Sequence, residues 1–308
     1  MNPWPQRLQD YLIVRRAMGF TMRRHEKLLT QFTDYLTDQG VATLTIENAL
    51  AWATSPRHGD ARWWAARLSM VRGFAGYLHA LDPAHQVPPG GLIPAGPRRI
   101  VPHLYTDHEI AALLQAAGSL SFPLRAATYQ TLICLLSATG MRVGEAIRLD
   151  RADFDADLAA LTVRGTKFGK SRQLPLHPTA AAGLQDYLRL RDRLTPHPAT
   201  DALLLSTRGF RLRYQRVWEI FHQLVGQAGL IPAPPTRPPR IHDLRHSFAV
   251  ATLLDCYRHR ADVQSMLPRL STYLGHTDPR DTYWYLSAAP ELLALAADRL
   301  EPVQKDQR

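Results

Sequence analysis

Six widely spaced side chains are of the types that could carry out chemistry on a phosphate group. They are two arginines, a lysine, two histidines and a tyrosine: Arg142, Arg245, Lys167, His242, His276 and Tyr285. An arginine can clamp a phosphate through two parallel hydrogen bonds, and it stays charged because its pKa exceeds about 12. Histidine and lysine can move protons, and a deprotonated tyrosine can act as a nucleophile. The set therefore indicates a reaction on an anionic substrate.

Two of these residues stand in short motifs with a companion three positions away. Arg142 follows a Thr-Gly break and opens a predicted helix, where unpaired backbone N–H groups favour an anion. Glu145 lies three residues later and could hold Arg142 or cap the helix; an ordinary capped helix with a surface arginine is the alternative. His242 and Arg245 are also three apart, so they share one helical face and could converge on one anion.

Lys167 and Tyr285 depend on turns in the predicted structure. Lys167 lies in the turn Gly165–Lys170 between two short strands, and such a tip can lay an ammonium group against a phosphate or simply be exposed. A helix is predicted to end at the glycine before His276, and Tyr285 follows nine residues later on a further helix. Tyr283 is a rival nucleophile, but two residues on a helix point about 200° apart, so only one can face the site.

The composition favours a polyanionic partner. The formal net charge is +10 and the isoelectric point is about 9.9, because lysine and arginine number 37 against 27 acidic residues. Lysine and arginine displace condensed counterions from nucleic acid phosphates, and arginine, the more frequent of the two here, also suits guanine edges. A merely soluble basic protein is the alternative that charge alone leaves open.

The sequence also argues against several classes of protein. No apolar run approaches the ~20 residues that span a bilayer, and the polar N-terminus is unlike a signal peptide, so we expect a cytoplasmic protein with no membrane partner. Cys134 and Cys256 lie among apolar neighbours and are expected to be buried, reduced thiols. No histidines, cysteines and acids fall at zinc-ligand spacing, so we expect no metal site and no cofactor.

The elements that position the six residues fall into two predicted domains. Residues 1–85 show helical periodicity and form a predicted helical domain. The Pro/Gly-rich stretch 86–102 cannot continue a helix and is interpreted as a linker. Residues 103–308 form a larger predicted domain of helices with a hairpin at Ala160–Arg164 and Ser171–Pro175. The expected fold class is mainly α with a small antiparallel β-sheet.

Taken in order, these segments resemble the catalytic domain of the tyrosine recombinase, or phage integrase, family over residues 103–290. Arginine, lysine, His-x-x-Arg and Leu-Gly-His precede a tyrosine nine residues further on. Residue by residue, the match makes Arg142 and Arg245 the phosphate-clamping arginines, Lys167 the hairpin lysine, His242 and His276 the two histidines, Tyr285 the nucleophile and Glu145 the supporting acid. The separation of 31 residues between Arg245 and His276 exceeds that expected for compact chromosome-dimer-resolving members. The chain is therefore more similar to transposon- or plasmid-borne members.

The resemblance implies a site-specific DNA recombinase with an N-terminal helical core-binding domain and a mixed α/β catalytic domain. Such enzymes cleave and rejoin DNA through a 3′-phosphotyrosine, without metal or other cofactor, in integration, excision or resolution of a mobile element. The resemblance makes Lys167 the general acid, His242 the base and His276 a hydrogen-bond partner of the phosphate. The implied partners are double-stranded DNA and copies of the chain in a synaptic tetramer, with related recombinases left open. A predicted helix over Pro290–Leu300 would pack on its own domain or dock on a neighbouring protomer.

Several basic residues are candidate DNA contacts, with solvated surface charge as the alternative for each. They are Arg15, Arg16, Arg23, Arg24, Lys27, Arg62, Arg67, Arg72, Arg211 and Arg213. By the family resemblance, both domains would close round the duplex. Two other functions are weighed against recombination. One is a type IB topoisomerase, which relaxes supercoils by similar chemistry, and the other is a catalytically inactive DNA-binding accessory protein.

Overall fold

The computed structural model describes residues 3–56, 59–95, 101–165, 171–231, 237–259, 261–276, 278, 280–288 and 291–292. The chain divides into two compact units, Met1–Ile100 and Val101–Arg308. Within the described ranges, no helix combines the length and the apolar character needed to cross a membrane.

The first unit consists of four helices packed round one core. They are α1 (Trp4–Ala17), α2 (Arg23–Asp38), α3 (Ile46–Thr54) and α4 (Ala61–Leu81). Leu29, Phe32 and Leu36 recur at helical spacing on α2, and all three are fully buried. They share the core with Val71 and Phe74 of α4. The apolar stripe predicted on this segment is the face that α2 buries.

The stretch after α4 stays attached to the first unit. His85 is buried, and its Nδ1 atom accepts a hydrogen bond of 3.0 Å from the backbone N–H of Leu44. The next residue, Gln86, donates its backbone N–H to the Leu44 carbonyl at 2.8 Å. The predicted linker over 86–102 therefore begins with a residue anchored on the first unit, and the division between the units falls after Ile100.

The described residues of the second unit form helices and a small sheet. In chain order the elements are α5 (Asp107–Gly118), α6 (Pro123–Thr139), α7 (Val143–Arg148), β1 (Phe154–Asp155), β2 (Ala160–Val163), β3 (Arg172–Pro175), α8 (Pro178–Leu194), α9 (Tyr214–Gln227), α10 (Asp243–Arg258), α11 (Val263–Leu274) and α12 (Arg280–Ala288). The expected fold class, mainly α with a small antiparallel sheet, is confirmed. Of the predicted helix over Pro290–Leu300, only Glu291 and Leu292 lie inside the described residues.

The sheet has three strands in the order β1-β2-β3, and both pairings are antiparallel. Val163 at the end of β2 pairs with Arg172 at the start of β3, which forms the predicted hairpin. The strand β1 was not predicted, because two residues are too few to show an alternating pattern.

Two apolar clusters support the second unit. The larger surrounds α6, whose buried Leu132 and Leu136 share a core with Leu113 of α5 and Leu184 of α8. The smaller lies among α10, α11 and α12 and includes Leu253, Leu270 and Tyr285. The helices that carry the predicted histidines and tyrosine therefore pack on one another.

The two cysteines differ in exposure. Cys256 is buried as expected, whereas Cys134 is exposed, so the prediction of two buried thiols is wrong for Cys134. On α6 the neighbours of Cys134, Leu132, Ile133 and Leu135, are buried. Successive helical residues are rotated by about 100°, so an apolar run on a helix still leaves a member facing outward.

Candidate active site

The site is built where two helices end in glycines. Gly140 follows α6 with φ of 60°, and Gly275 follows α11 with φ of 70°, a left-handed conformation that suits glycine. Arg245 of α10 donates Nη1 to the Gly140 carbonyl at 2.7 Å and Nη2 to the Leu274 carbonyl at 2.9 Å. Carbonyls at helix C-termini lack intrahelical partners and attract cations. The Arg245 guanidinium thus joins two helix ends.

Arg245 keeps its charge although it is buried. Its relative exposure is 2%, and burial together with the neighbouring Arg142 charge lowers its pKa to about 10. A group with this pKa remains protonated at neutral pH. The charge of Arg245 also acts on Tyr285, whose ionised form it favours. Arg245 therefore brings a fixed positive charge to the tyrosine hydroxyl.

Arg142 presents a more open guanidinium. It occupies the N-cap position of α7, one residue earlier than the predicted first turn. Its Nη1 donates to Glu145 Oε1 at 3.0 Å and its Nη2 to the Gly275 carbonyl at 3.1 Å. The side chain of Arg142 is 39% exposed. Glu145 both caps α7, accepting from the Arg142 backbone N–H at 2.9 Å, and holds the Arg142 side chain, so the two suggested roles coexist.

The two candidate tyrosines on α12 are placed differently. Tyr285 is 2% exposed, whereas Tyr283 is 53% exposed. Burial raises the pKa of Tyr285, and the charge and hydrogen bond of Arg245 oppose that effect. A positive charge next to a phenol favours its ionised form. Of the two tyrosines, Tyr285 is the one joined to the arginines.

His276 is held beside Tyr285 as a neutral imidazole. Its Nδ1 lies 2.7 Å from the hydroxyl of buried Thr282, and its ring centroid lies 6.0 Å from that of Tyr285. Burial lowers the pKa of His276 to about 4, with further lowering by the charges of Arg245 and Arg142. A neutral imidazole can donate a hydrogen bond without carrying charge.

His242 lies at the N-cap of α10, and its side chain is exposed. Desolvation by the neighbouring protein groups, followed by the charge of Arg245, lowers the pKa of His242. The ring of His246 lies between other aromatic groups, with its centroid 5.0 Å from that of His242 and 5.4 Å from that of Tyr285. Burial and then His242 lower the pKa of His246 to about 4. No group of three or more possible metal ligands occurs in the described part of the chain.

Five of the six residues singled out in the sequence therefore lie in one site. Arg142 and Arg245 converge through the ends of α6 and α11, the charge of Arg245 acts on Tyr285, and His276 and His242 border them. Lys167 lies outside the described residues. The arrangement brings together two guanidiniums, two imidazoles and a phenol, groups that can bind an anion, transfer protons and act as a nucleophile.

The phage integrase family model matches residues 104–291 of this chain. The chain belongs to the phage integrase family. It is 44% identical to y4rB of Sinorhizobium fredii, whose name gives it as an integrase/recombinase, over 98% of both chains. Its fold is similar to the Tn1549 transposon integrase in complex with transposon right end DNA, with a TM-score of 0.66 and 15% identity over 96% of this chain and 99% of that one. It is also similar to a lambda integrase tetramer bound to a Holliday junction, with a TM-score of 0.61 and 18% identity over 91% and 76%.

In this phage integrase, most of the candidate DNA contacts are accessible. The exposed ones are Arg16, Arg23, Arg24, Lys27, Arg62 and Arg213, and the half-buried ones are Arg15, Arg72 and Arg211. Near the junction of α1 and α2, Arg16 pairs with Glu26 at 2.6 Å and Arg15 lies over the Phe20 ring. Arg24 lies 5.3 Å from the Trp63 ring of α4. The basic cluster therefore extends from α2 to the start of α4.

Two arginines from the predicted DNA surface are engaged by the protein itself. Arg67 is 6% exposed, lies 3.6 Å from the Trp52 ring centroid and donates to the Trp52 carbonyl at 2.8 Å. It stabilises the first unit and does not reach a phosphate, so the prediction for Arg67 is corrected. Arg211 donates to the Ile147 carbonyl at 2.8 Å and pairs with Asp150, which leaves it half-buried. Their neighbours Arg62 and Arg213 remain exposed.

The sequence reasoning missed three residues of the site. Arg172 forms two hydrogen bonds with Glu145, His246 contacts Tyr285, and Thr282 binds His276. His246 stands four residues after His242, a spacing that did signal proximity. Arg172 and Thr282 carried no such signal, because each meets its partner only after separate segments have packed together.

Proposed function

We propose that this protein is a site-specific DNA recombinase that cleaves one strand with Tyr285 and holds it as a 3′-phosphotyrosine. Membership of the phage integrase family supports recombination in general terms. The observation that carries the finer proposal is the position of Tyr285, which lies beside His276 and whose ionised form is favoured by the charges of the buried Arg245 and the open Arg142.

The proposed reaction is an in-line displacement at phosphorus. The Tyr285 oxygen attacks the phosphorus, and the bond from the phosphorus to the 5′-oxygen breaks. The phosphate then links the tyrosine oxygen to the 3′-oxygen of the cleaved strand. Negative charge builds on the phosphate oxygens in the transition state, and Arg142 and Arg245 oppose it there. Because the phosphotyrosine conserves the ester bond, a DNA 5′-hydroxyl can reverse the step and rejoin the strand. The guanidiniums supply the positive charge, and no cofactor is part of the proposal.

Two protons must move during this step. The Tyr285 proton is proposed to pass to His242, whose lowered pKa keeps it neutral and able to accept a proton. The leaving 5′-oxygen needs a proton from a general acid, and the resemblance gives this role to Lys167. His276, neutral and fixed by Thr282, is proposed to donate a hydrogen bond to a phosphate oxygen.

The burial of Tyr285 implies a rearrangement on DNA. At 2% exposure its hydroxyl is not open to a duplex, although Arg142 next to it is 39% exposed. We propose that a DNA phosphate first meets Arg142 and that the rings covering Tyr285 then shift to admit it. The binding free energy of the duplex would offset the loss of these ring contacts.

The proposed setting is a mobile element. The Tn1549 integrase, similar in fold, is a transposon protein seen with transposon end DNA, and the lambda integrase is seen as a tetramer on a Holliday junction. We propose that this chain likewise binds double-stranded DNA, acts as a tetramer, and serves integration, excision or resolution in the cytoplasm.

The first prediction tests the nucleophile. On a nicked suicide substrate that contains the cognate site, the wild-type protein is expected to form a covalent protein–DNA adduct, detected as a band of lower mobility in a denaturing gel. Tyr285→Phe removes the hydroxyl and should abolish the adduct. Tyr283→Phe is the matched control, and it should leave the adduct intact because Tyr283 is 53% exposed. An adduct that persists in Tyr285→Phe and disappears in Tyr283→Phe would overturn the assignment.

Assays of the wild-type protein distinguish site-specific recombination from the two alternative functions. A type IB topoisomerase would relax any supercoiled plasmid, whereas a recombinase should exchange strands only between two cognate sites. An inactive accessory protein would bind the site but give no adduct with the wild-type chain.

A further inference from the structure

Arg172, the first residue of β3, is bound to the carboxylate of Glu145. Its Nη1 donates to Oε1 at 3.2 Å and its Nη2 to Oε2 at 2.8 Å, so the two planar groups meet through both oxygens. The side chain of Arg172 is 13% exposed, compared with 39% for Arg142. Arg172 is therefore turned toward the carboxylate and away from solvent.

Glu145 is shared between two arginines. Its side chain is 2% exposed, and it also accepts a single guanidinium hydrogen bond from Arg142 at 3.0 Å. A buried carboxylate is costly unless it is paired. Burial raises the pKa of Glu145, but the hydrogen bonds and charges of Arg172 and Arg142 outweigh burial and hold that pKa at about 2. The carboxylate thus stays charged, and Arg172 satisfies both of its oxygens.

Arg172 also lies against the turn that receives the other hydrogen bond of Arg142. A Cβ atom on Gly275 would lie 2.9 Å from Arg172 Nη1, so the guanidinium packs directly on this glycine. The Gly275 carbonyl accepts from Arg142 Nη2. Arg172 therefore contacts both groups that orient Arg142, the Glu145 carboxylate and the turn at Gly275.

The charges in this cluster determine whether the Arg142 guanidinium is free to bind a substrate phosphate. Without Arg172, the buried Glu145 carboxylate would have Arg142 as its remaining cation, and a two-oxygen pair would be the favoured geometry between them. Such a pair would turn the fork of Arg142 toward Glu145 and cancel its charge. With Arg172 present, the Arg142 guanidinium gives Glu145 one hydrogen bond, and the cluster keeps a net positive charge.

We infer that Arg172 is a positioning residue for strand cleavage, which neutralises Glu145 so that the Arg142 guanidinium stays free to bind the scissile phosphate. This inference rests on the proposed function. It assigns Arg172 no contact with the DNA, and it predicts that the effect of Arg172 on cleavage passes through Glu145.

The test is a double-mutant cycle on the full-length chain. The rate constant for covalent adduct formation is measured in single turnover at saturating suicide substrate, and the Kd for the same DNA is measured separately. Arg172→Gln is expected to lower the rate constant by about 10- to 100-fold, the range expected when a transition-state guanidinium is misplaced. The Kd should change less than about threefold, because the many other phosphate contacts are unaffected. Arg172→Lys, which keeps the charge, should recover part of the rate.

Repeating the Arg172 substitution in a Glu145→Gln variant shows whether the effect of Arg172 depends on the Glu145 carboxylate. With no carboxylate to neutralise, Arg172→Gln should cause no further loss when it is added to Glu145→Gln. Thermal unfolding of each variant checks that it is folded, and if Arg172→Gln alone is not, the double variant and Arg172→Lys still report the coupling.

Two results would overturn the inference. One is an unchanged rate in folded Arg172→Gln, and the other is a loss in the Glu145→Gln background as large as in the wild-type background, which would indicate a direct phosphate contact. Failure of the proposed function is distinguishable, because then the wild-type chain itself would give no adduct.

Discussion

At the scale of single residues, the site depends on arginines whose hydrogen bonds lysine cannot reproduce. Arg245 uses two nitrogens to reach carbonyls on two different helices, and its charge favours the ionised form of Tyr285. A lysine has a single nitrogen on a flexible stem and cannot span these acceptors. The charge would be kept, but its position relative to the tyrosine would not.

We therefore predict that Arg245→Lys lowers the single-turnover cleavage rate by about 10²- to 10³-fold. Arg191→Lys is the matched control, because Arg191 is also 2% exposed and also donates to a carbonyl, that of Ala202 on the far side of α8. Both variants should lose some stability in thermal unfolding. Equal losses of cleavage in the two variants would show that Arg245 matters only for folding.

The neutral histidines make a second prediction at this scale. The pKa of His246 is about 4 in the folded protein because of burial and the neighbouring His242, against an ordinary value near 6.5. Between these values the unfolded chain binds a proton that the folded chain does not, so stability is lost as the pH falls from 6.5 toward 4.

His246→Gln removes this proton uptake. Between pH 7 and pH 5, the free energy of unfolding should fall for both proteins. We expect the decrease in His246→Gln to be smaller than that in the wild-type protein by about 1–2 kcal/mol. Chemical denaturation at the two pH values measures the difference. His259→Gln, at the exposed end of α10, controls for the loss of a histidine. A pH dependence identical to that of the wild-type protein would contradict the assignment of a neutral, half-buried His246.

At the scale of elements, the site is an assembly of helix ends. Gly140 and Gly275 are the C-cap residues of α6 and α11, and Arg142 and His242 are the N-cap residues of α7 and α10. C-terminal carbonyls from the first pair hold the guanidiniums, while the second pair supplies the side chains. Helix ends are suited to this role because their backbone groups have no partners within the helix.

Gly140 is the position where this assembly tolerates least change. A Cβ there would lie 2.4 Å from a ring carbon of Phe248, and φ is 60°. We predict that Gly140→Ala lowers stability by roughly 1–3 kcal/mol through steric and backbone strain, and that it lowers cleavage because the Gly140 carbonyl binds Arg245. Thermal unfolding and adduct formation measure the two effects.

Gly183→Ala in α8 is the matched control for this prediction. Nothing lies within 4 Å of a Cβ at Gly183, so alanine should stabilise the helix by about 0.5–1 kcal/mol and leave cleavage unchanged. If both alanines behaved alike, the close approach at Gly140 would have no energetic consequence.

At the scale of the whole molecule, the excess of positive charge should appear in the salt dependence of DNA binding. Arg23, Arg24 and Lys27 are exposed at the start of α2. If all three contact phosphates, replacing them with alanine should reduce the slope of log Kd against log salt by about 2–3, since each contact contributes about 0.9. Titrations at several salt concentrations measure the slope.

The control for this prediction is Arg189→Ala on α8, which removes an exposed arginine that is already paired with Asp186. Its slope should match that of the wild-type protein. A triple variant with an unchanged slope would show that the cluster on α2 is solvated charge, the alternative weighed from the sequence.

The sequence by itself determined the fold class, the family and the members of the site that stand in local motifs. Arg142, His242, Arg245, His276 and Tyr285 could be found because a glycine that ends a helix, or a spacing of three residues on a helix, is visible in the order of residues. The helical stripe on α2 was predictable for the same reason, since burial of one face imposes a period.

Only the tertiary structure decided which charges are used inside the protein and which remain free. Arg62 and Arg67 lie on one helix, yet Arg62 is exposed and Arg67 stacks on Trp52 of α3. Arg172 meets Glu145 across 27 residues because β3 packs beside α7, and Tyr285 is buried because α10, α11 and α12 share a core. Burial and pairing depend on segments that are distant in the chain, so no local pattern records them.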